Sequence, residues 1–314
     1  MLSRLRAISH LQVQENAPLS RHTRFALGGP ARILADASTE TALAEALAVV
    51  RNAGVRLALI GGGSNLVVAD EGFPGVVLRY TARGIEAAGT EIHVESGAVL
   101  QDLVDLSIER GLRGLDTMTG IPGWVGGAIY GNAGAYGHSI EERVERVRFF
   151  DGSEFREFDR AGCEFRYRES IFKRHKDWIV TSATLKMDRA EAGELRASAD
   201  AILKIRNEKY PPTLRCAGSI FKNLILAELP ESVRARVPER VVREGKVPSA
   251  YFLEQAGAKG MVNGGIRVAD YHSNLIYNAD SGTAGQVRAT IDALKRRVHD
   301  LYGLDLEEEV QYIG

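Results

Sequence analysis

The sequence has no long apolar run, few cysteines and almost no net charge, and each absence excludes a class of protein. No stretch approaches the roughly 20 apolar residues of a membrane-spanning helix, and the charged N-terminus does not resemble a signal peptide. With 40 Lys and Arg against 41 Asp and Glu, the net charge of -1 offers no attraction for nucleic acid or acidic membranes. We therefore expect a cytoplasmic protein that binds small molecules, without nucleic-acid partners or membrane insertion.

The small number of cysteines argues against a disulfide framework and against a thiolate metal site. The chain has two, Cys163 and Cys216, and neither lies in a Cys-x-x-Cys spacing. We expect both to be buried, reduced thiols. No metal site is predicted.

Hydrophobic periodicity predicts alternating helices and strands in a globular chain. At 314 residues and 45% hydrophobic composition, two or three domains are expected. A helix is predicted over residues 38–53, with Ser38 as its N-cap. Another is predicted over 283–302, where Thr283 and Gln286 form a capping box.

Strand patterns in the middle of the chain predict a mostly antiparallel sheet. Residues 144–150 have the composition of a strand, and Asp151-Gly152 directly after them is a hairpin signal. Hairpins of this kind take the place of crossover helices. Further on, Pro211-Pro212 interrupts a helical pattern and suggests a domain boundary.

Two glycine-rich stretches are the first signs of a ligand. The first is Gly61-Gly62-Gly63-Ser64-Asn65, after a predicted strand, and the second holds nine of the 33 glycines between residues 111 and 137. Glycines let backbone N–H groups converge on a phosphate without clashes. The first loop is neither a Walker loop nor a Rossmann fingerprint, and alone it is compatible with a plain turn. Two such stretches together favour a large cofactor.

With these motifs the chain resembles the UDP-N-acetylenolpyruvoylglucosamine reductase family, among the flavoproteins of the vanillyl-alcohol-oxidase type. The resemblance covers nearly the whole chain, from about residue 19 onward. It is carried by Thr23-Arg24-Phe25-Ala26-Leu27-Gly28-Gly29-Pro30-Ala31, the Gly61–Asn65 loop, Gly120-Ile121-Pro122-Gly123 with Gly126-Gly127-Ala128, Asn132-Ala133-Gly134-Ala135-Tyr136-Gly137, Tyr167-Arg168-Glu169-Ser170, Ala217-Gly218-Ser219-Ile220-Phe221-Lys222-Asn223, and Glu309-Val310 with Ile313-Gly314.

The resemblance implies an α+β fold. A two-subdomain FAD-binding fold of the vanillyl-alcohol-oxidase (PCMH) type is expected, followed by a C-terminal α+β substrate domain. The first FAD-binding subdomain is expected over residues 1–80 and the second over 81–210. The substrate domain is expected over 211–302, and a tail over 303–314 is expected to return to the FAD-binding part.

The implied activity is that of a flavoprotein oxidoreductase of peptidoglycan synthesis and cell-wall biogenesis. NADPH reduces FAD, and the hydride then passes to UDP-N-acetylglucosamine enolpyruvate to give UDP-N-acetylmuramate. The FAD is expected to be non-covalent, because the first loop offers no His or Cys for a flavin link. The cofactor-binding residues implied are Gly61, Gly62, Gly63, Ser64, Asn65, Gly120, Ile121, Pro122, Gly123, Gly126, Gly127, Ala128, Asn132, Gly134 and Ala135.

Three residues match the catalytic positions of the family. Arg168 is implied to bind the substrate carboxylate, for which a guanidinium offers two parallel hydrogen bonds. Ser219 is implied to be the proton donor, since an alcohol can act only toward a strongly basic carbanion or enolate. Glu309 is implied either to bond the carboxylate when protonated or to polarise Arg168 when ionised. Without the family context, Ser219 would be interpreted as a turn hydroxyl.

Five further residues match substrate-contacting positions: Tyr167, Lys209, Lys222, Asn223 and His272. The lysines suit a diphosphate, whereas His272 can equally be structural. The sequence departs from the family at Leu224, where proline is usual, and in an extra stretch over residues 225–247. The short interval between Arg168 and Ser219 fits the subclass that lacks an extra tyrosine-bearing loop.

Two other hypotheses stay open at this point. The chain can be another FAD oxidoreductase of the same fold, which would explain the glycine loops without Arg168, Ser219 and Glu309. It can also be a non-catalytic flavin- or nucleotide-binding protein, whose flavin NADPH would not reduce.

Overall fold

The computed structural model describes residues 1–314 and divides the chain into two compact units. The first unit consists of Met1–Ala17, Ala31–Gly63 and Pro74–Glu208. The second unit consists of Pro18–Pro30, Ser64–Phe73 and Lys209–Gly314. Residues 1–80 therefore contribute to both units, and the three consecutive domains expected from the sequence stay a prediction.

The helices are short except for two. The nine α-helices are α1 (Leu2–Arg6), α2 (Glu40–Asn52), α3 (Leu100–Glu109), α4 (Val125–Tyr130), α5 (Ile171–Arg174), α6 (Ala192–Lys209), α7 (Glu231–Arg234), α8 (Ser249–Gln255) and α9 (Ala284–Tyr302). None of them is both long enough and apolar enough to cross a membrane.

The strands outnumber the helices. They are β1 (Leu11–Pro18), β2 (Pro30–Ala37), β3 (Leu57–Leu59), β4 (Leu66–Val68), β5 (Phe73–Tyr80), β6 (Ile85–Ala88), β7 (Glu91–Glu95), β8 (Leu112–Arg113), β9 (Gly134–Ala135), β10 (His138–Ser139), β11 (Val144–Phe150), β12 (Phe155–Asp159), β13 (Ile179–Lys186), β14 (Asp188–Arg189), β15 (Arg215–Ser219), β16 (Leu224–Ile225), β17 (Lys246–Val247), β18 (Val262–Asn263), β19 (Ile266–Val268), β20 (Leu275–Asn278) and β21 (Gln311–Ile313).

The first unit is built on two sheets. A five-stranded sheet has the order β12-β11-β13-β7-β6, and all its neighbouring strands are antiparallel. The predicted antiparallel character and the predicted hairpin after residue 150 are both confirmed. A four-stranded sheet has the order β1-β2-β5-β3, in which β3 runs parallel to β5. This parallel strand leads directly into the first glycine loop.

The sequence prediction was wrong about the start of α2. Its N-cap is Thr39, whose hydroxyl accepts a hydrogen bond from the amide of Ala42 at 3.2 Å, and not Ser38. The Ser38 hydroxyl instead bonds the carbonyl of His10 at 3.2 Å. Two adjacent hydroxyl residues compete for an N-cap, and backbone geometry decides which is used. The predicted capping box of α9, formed by Thr283 and Gln286, is confirmed.

Each sheet of the first unit has its own apolar core. Phe149 and Phe172 are fully buried against the five-stranded sheet and contact each other with ring centroids 5.2 Å apart. Leu43 and Leu47 of α2 are buried in the other core. Cys163 is buried in the first of these cores, and burial raises the pKa of its thiol to about 12.

The second unit packs α9 against a four-stranded sheet of order β15-β20-β19-β18. Val287, Ile291, Leu294 and Val298 of α9 are buried in its core, which gives the helix the apolar stripe expected from the sequence. The free thiol of Cys216 is buried in a small cluster on the same sheet.

The second unit contains the C-terminal strand of the chain and the extra stretch over residues 225–247. The last strand, β21, pairs in parallel with β4, so that Tyr312 lies opposite Val67. The extra stretch over 225–247 is closed at its base by the two-residue ladder between β16 and β17. Leu229 and Val233 within that stretch are buried in the core of the unit. The stretch therefore contributes to packing.

Candidate active site

The first glycine loop presents unpaired backbone amides. The N–H groups of Gly61, Gly62 and Gly63 donate no hydrogen bond within the protein. A Cβ on Gly61 would meet nothing within 4 Å, whereas a Cβ on Gly62 would lie 2.8 Å from the indole of Trp124. Glycine is therefore needed at position 62 for close packing, and the loop keeps donors that need an acceptor from elsewhere.

The second glycine stretch also contains one glycine required by close packing and one that faces open space. A Cβ on Gly126 would lie 2.8 Å from the Cβ of Ser96, whereas a Cβ on Gly127 would meet nothing within 4 Å. Two hydroxyls within this stretch, those of Thr117 and Thr119, are buried and have no hydrogen-bond partner. Buried polar groups without partners are uncommon in folded proteins, and here they point to a missing acceptor.

These observations fit a bound dinucleotide in the first unit. The amides and hydroxyls supply neutral donors of the kind that hold a diphosphate. The open space at Gly61 and Gly127 lets a phosphate or a flat ring approach the backbone directly. The residues in place are therefore suitable for FAD.

The other residues expected to bind the cofactor have defined places in the first unit. The amide of Gly120 donates to Gln101 Oε1 at 2.7 Å, and the carbonyl of Gly123 accepts from Leu100 at 2.9 Å. Ile121 and Ala128 contact the apolar core, and Pro122 is exposed. Gly134 and Ala135 form the two-residue strand β9, paired with β10.

The side chain of Asn132 makes hydrogen bonds within the protein. It is 2% exposed and has a left-handed backbone, with φ of 44°. Its Nδ2 donates to the carbonyl of Arg166 at 2.9 Å, and its Oδ1 accepts from the amide of Glu141 at 3.4 Å. The side-chain amide therefore holds the turn in which Arg168 lies.

Arg168 occupies a strained position in that turn. Arg166 and Glu169 bond each other through both amides at 3.0 Å, which leaves Tyr167 and Arg168 at the tip. The φ angle of Arg168 is 58°, in the left-handed region that favours glycine. Strain of this type persists mainly at functional sites.

The guanidinium of Arg168 is held by carbonyls of the second glycine stretch. Its terminal nitrogens donate to the carbonyl of Gly134 at 2.9 Å and to that of Asn132 at 3.5 Å. The guanidinium carbon lies 5.1 Å from the centroid of the Tyr167 ring. These contacts orient the group while it keeps its positive charge for a carboxylate.

Ser219 lies in the second unit, at the end of β15, directly after a bulge. Cys216 is opposite Tyr277 of β20 and Ser219 is opposite Leu275, so β15 holds one extra residue between them. Gly218 in the bulge has φ of 78°, and a Cβ there would meet nothing within 4 Å. Bulges re-aim side chains at sheet edges and near active sites. This bulge directly precedes Ser219, whose hydroxyl lies 2.8 Å from that of Tyr210.

Glu309 is brought next to Ser219 by backbone pairing in the second unit. The amide of Glu309 donates to the carbonyl of Ile220 at 2.7 Å, and the amide of Lys222 donates to the carbonyl of Glu307 at 2.9 Å. The tail thus forms a short antiparallel ladder with the residues directly after Ser219. Two of the expected catalytic residues are therefore neighbours, and Arg168 lies in the first unit.

The expected substrate-binding residues of the second unit are partly engaged already. Lys222 is 7% exposed and bonds Glu307, and Asn223 Oδ1 accepts from the amide of Ser249 at 3.4 Å. The ammonium of Lys209 lies 5.4 Å from the centroid of the Tyr210 ring. His272 is 7% exposed, and its Nε2 lies 3.1 Å from the hydroxyl of Tyr210.

Comparison with protein families gives matches over most of the chain. Residues 31–154 match the model described as FAD binding domain. Residues 210–313 match the model described as UDP-N-acetylenolpyruvoylglucosamine reductase, C-terminal domain. A protein of that reductase name from Solibacter usitatus is 58% identical over 99% of this chain and 100% of its own length. The chain belongs to the UDP-N-acetylenolpyruvoylglucosamine reductase family.

More distant members of the reductase family agree with this assignment. The relative of the same name from Pseudomonas aeruginosa is 32% identical over 95% of this chain and 98% of its own length. The crystal structure of the reductase from Thermus caldophilus superposes with a TM-score of 0.75 at 26% identity. That comparison covers 97% of this chain and 99% of the other.

The family membership confirms several expectations from the sequence. The resemblance, the α+β fold class with an FAD-binding part and a C-terminal domain, and FAD as the cofactor are all confirmed. The reductase-specific match over residues 210–313 also separates the chain from other flavoproteins that share only the FAD-binding part.

Sequence reasoning missed Tyr210. Its hydroxyl lies 2.8 Å from Ser219 Oγ, between that residue and His272. The residue follows α6 immediately and precedes Pro211, so it was assigned only to a domain boundary. Its position one residue after Lys209, an expected ligand of the diphosphate, was the only signal that could have drawn attention to it.

Proposed function

We propose that this chain catalyses the NADPH-dependent reduction of UDP-N-acetylglucosamine enolpyruvate to UDP-N-acetylmuramate, in the cytoplasm. Membership of the reductase family supports this reaction. The observation that carries the proposal is the neighbourhood of Ser219 and Glu309, which the ladder between residues 220–222 and 307–309 creates. Glu309 bonds the residue that follows Ser219, so the backbones of the two residues lie one position apart across this ladder.

The cofactor-binding residues of the proposal are those of the glycine loops. Gly61, Gly62 and Gly63 supply amides to the diphosphate, and the open space at Gly127 admits the cofactor at the second stretch. A bound FAD would supply the chemistry of hydride transfer from NADPH to the enolpyruvyl double bond. No residue able to form a flavin link lies in the first loop, so the cofactor is held without a covalent bond.

Residues of the protein stabilise the negative charge that develops on the substrate and supply the proton for its α-carbon. Arg168 binds the substrate carboxylate and stabilises the negative charge that develops beside it. Ser219 gives its hydroxyl proton to the α-carbon. Glu309, in its protonated form, donates a hydrogen bond to the carboxylate. Lys209 and Lys222 contribute positive charge for the diphosphate of the substrate, with Tyr167 and Asn223 as further contacts.

The proposal is tested by separating the two half-reactions under anaerobic conditions. NADPH is expected to bleach the visible absorbance of the flavin, and UDP-N-acetylglucosamine enolpyruvate is expected to restore it. Ser219→Ala should bleach with NADPH at the wild-type rate, while the rate of recovery falls by about 100-fold or more, as for loss of a general acid.

Ser107→Ala is a matched control, because Ser107 is a buried serine of α3 that bonds only the carbonyl of Val104, at 2.7 Å. It should retain both half-reactions. If the enolpyruvyl substrate fails to restore the absorbance of the wild-type protein, the proposed reaction is wrong. If Ser219→Ala recovers as fast as the wild type, the reaction stands and the role of Ser219 is wrong.

A further inference from the structure

Ser219 belongs to a partly buried series of three hydrogen-bonded side chains, in which the proposed reaction gives no role to Tyr210. The hydroxyl of Tyr210 lies 2.8 Å from Ser219 Oγ and 3.1 Å from His272 Nε2. His272 is 7% exposed, and its ring centroid lies 5.5 Å from that of Tyr210. Tyr210 therefore links a buried imidazole to the hydroxyl of Ser219.

The direction of these hydrogen bonds is set by the contact that His272 makes with Asn274. The amide of Asn274 donates to His272 Nδ1 at 3.3 Å, so Nδ1 carries a lone pair and the hydrogen of the neutral ring is on Nε2. Nε2 then donates to the oxygen of Tyr210. The Tyr210 hydrogen is left to point at Ser219 Oγ, and the hydrogen of Ser219 is free to turn toward a substrate.

The neutral form of His272, which this direction requires, is favoured by its surroundings. Burial lowers the pKa of His272 to about 3, and the nearby ammonium groups of Lys209 and Lys259 act in the same sense. Lys209 also lies 5.4 Å from the centroid of the Tyr210 ring. Its positive charge favours negative charge on the phenol oxygen.

We propose that Tyr210 is a positioning residue that directs the Ser219 hydroxyl and replaces its proton as that proton leaves for the substrate, with His272 as its fixed donor. The inference rests on the proposed function, because it requires Ser219 to be the proton donor. It adds a residue that was not recognised from the sequence and gives His272 a role other than contact with substrate.

The proton transfers balance as follows. Hydride adds to one carbon of the enolpyruvyl double bond, and the π electrons move to the α-carbon. The α-carbon then bonds the proton of Ser219, whose O–H bond breaks. The Tyr210 hydrogen moves to Ser219 Oγ, which is downhill because phenols are stronger acids than alcohols. The phenolate keeps the hydrogen bond from His272 Nε2 until water returns one proton.

The decisive variant is Tyr210→Phe, which keeps the ring and removes the hydroxyl. Flavin reduction by NADPH should keep its wild-type rate. The maximal rate of recovery with substrate should fall on the order of 10- to 100-fold, part of the effect of a general acid. The substrate concentration for half-maximal recovery should change by less than about twofold, since binding contacts stay in place.

Tyr277→Phe is the matched control, because Tyr277 packs in the same small cluster as Tyr210 on the neighbouring strand. Its two half-reactions should match the wild type. Equal slowing of both half-reactions in Tyr210→Phe would mean general damage and would overturn the proposal, as would a wild-type rate of recovery.

A double variant separates this inference from the proposed function. In the Ser219→Ala background, Tyr210→Phe should cause no further loss, since Tyr210 acts through Ser219. A multiplicative loss would overturn the relay and leave the role of Ser219 intact. Wild-type recovery in Ser219→Ala alone would overturn the proposed role of Ser219 instead.

A spectroscopic measurement tests the hydrogen-bond direction without turnover. Nitrogen-15 NMR of the histidine-labelled holoenzyme at pH 7 should show His272 as a neutral ring protonated on Nε2. The Nε2 shift should change in Tyr210→Phe, which removes its acceptor. A ring protonated on Nδ1 or on both nitrogens would contradict the proposed direction.

Discussion

The side-chain amide of Asn65 donates to the backbone carbonyl of Glu309 at 2.8 Å. The carbonyl of Asn65 in turn accepts from the amide of Gln311 at 3.0 Å. The last residue of the first glycine motif therefore holds the candidate catalytic glutamate in place. Asn65 Oδ1 is buried without a hydrogen-bond partner and remains available to a ligand.

We predict that Asn65→Ala weakens both stability and catalysis. It removes the shorter of two side-chain hydrogen bonds to the carbonyl of Glu309, which costs about 0.5–1.5 kcal/mol. Urea denaturation should show the loss, and the recovery of flavin absorbance with substrate should slow. Gln311→Ala is the comparison, because the Gln311 side chain donates to the same carbonyl and to that of Val310 only at 3.4 Å, so its removal should cost less. Wild-type stability in Asn65→Ala would show that this bond does not anchor the tail.

The left-handed backbone at Arg168 predicts a conflict between stability and activity. Arg168→Gly removes backbone strain of about 1–2 kcal/mol and also removes the guanidinium hydrogen bonds. Because the first effect offsets the second, the variant should unfold at the same or a higher denaturant concentration. Recovery of flavin absorbance with substrate should fall at least about 100-fold, since the carboxylate loses its charged partner. Arg168→Lys should lie between glycine and the wild type.

Glu244→Gly provides the matched comparison for Arg168. Glu244 is exposed and also left-handed, with φ of 52°, but lies in the extra stretch of the second unit. Its replacement should raise stability and leave both half-reactions unchanged. A large loss of stability in Arg168→Gly, with a gain in Glu244→Gly, would assign a structural role to the arginine.

The open space at Gly61 predicts a variant that folds but loses flavin. Gly61→Ala should leave the apoprotein as stable or more stable by about 0.4–1 kcal/mol, because alanine restricts the unfolded chain. The added methyl group would occupy the space available to the cofactor. The ratio of flavin to protein absorbance after dialysis should therefore fall.

Gly193 in α6 offers the control for Gly61. A Cβ there also meets nothing within 4 Å, and the residue lies outside both glycine loops. Gly193→Ala should keep a full complement of flavin while stabilising the helix by about 1 kcal/mol. Equal flavin content in both variants would remove Gly61 from the cofactor site.

His272 predicts a dependence of stability on pH. Because its folded pKa of about 3 lies below the usual value of 6.5, the unfolded chain takes up this proton first as the pH falls. Stability is therefore lost below about pH 6.5, by about 2 kcal/mol between pH 7 and pH 5 for this one group. Urea titrations of His272→Gln should show a shallower decline over that interval. Parallel curves would show that His272 titrates normally.

Local patterns allowed much of the fold to be predicted. The capping box of Thr283 and Gln286 depends on residues three apart, and the strand Val144–Phe150 depends on its own composition and on the hairpin that follows. Such features are set by neighbours in sequence. The N-cap at Thr39 was missed because Ser38 beside it offers the same chemistry, and only the backbone angle separates them.

Relations between distant residues could not be predicted. Ser219, Tyr210 and His272 are separated by nine and 62 positions and meet only after β15 and β20 have paired. Lys222 was assigned to a diphosphate, yet it already bonds Glu307 across 85 positions. The left-handed backbone of Arg168 follows from the turn between Arg166 and Glu169, which composition alone does not indicate.

The parallel pairing of β21 with β4 has a consequence for the order in which the molecule forms during synthesis. Residues 66–68 leave the ribosome long before residues 311–313, so β4 cannot pair with β21 until those residues have been synthesised. N-terminal parts of a chain generally fold first as translation proceeds, whereas the ladder between residues 220–222 and 307–309 can close only after residue 309 has been synthesised. A chain synthesised only as far as residue 306 therefore holds Ser219 without the glutamate that we propose acts with it.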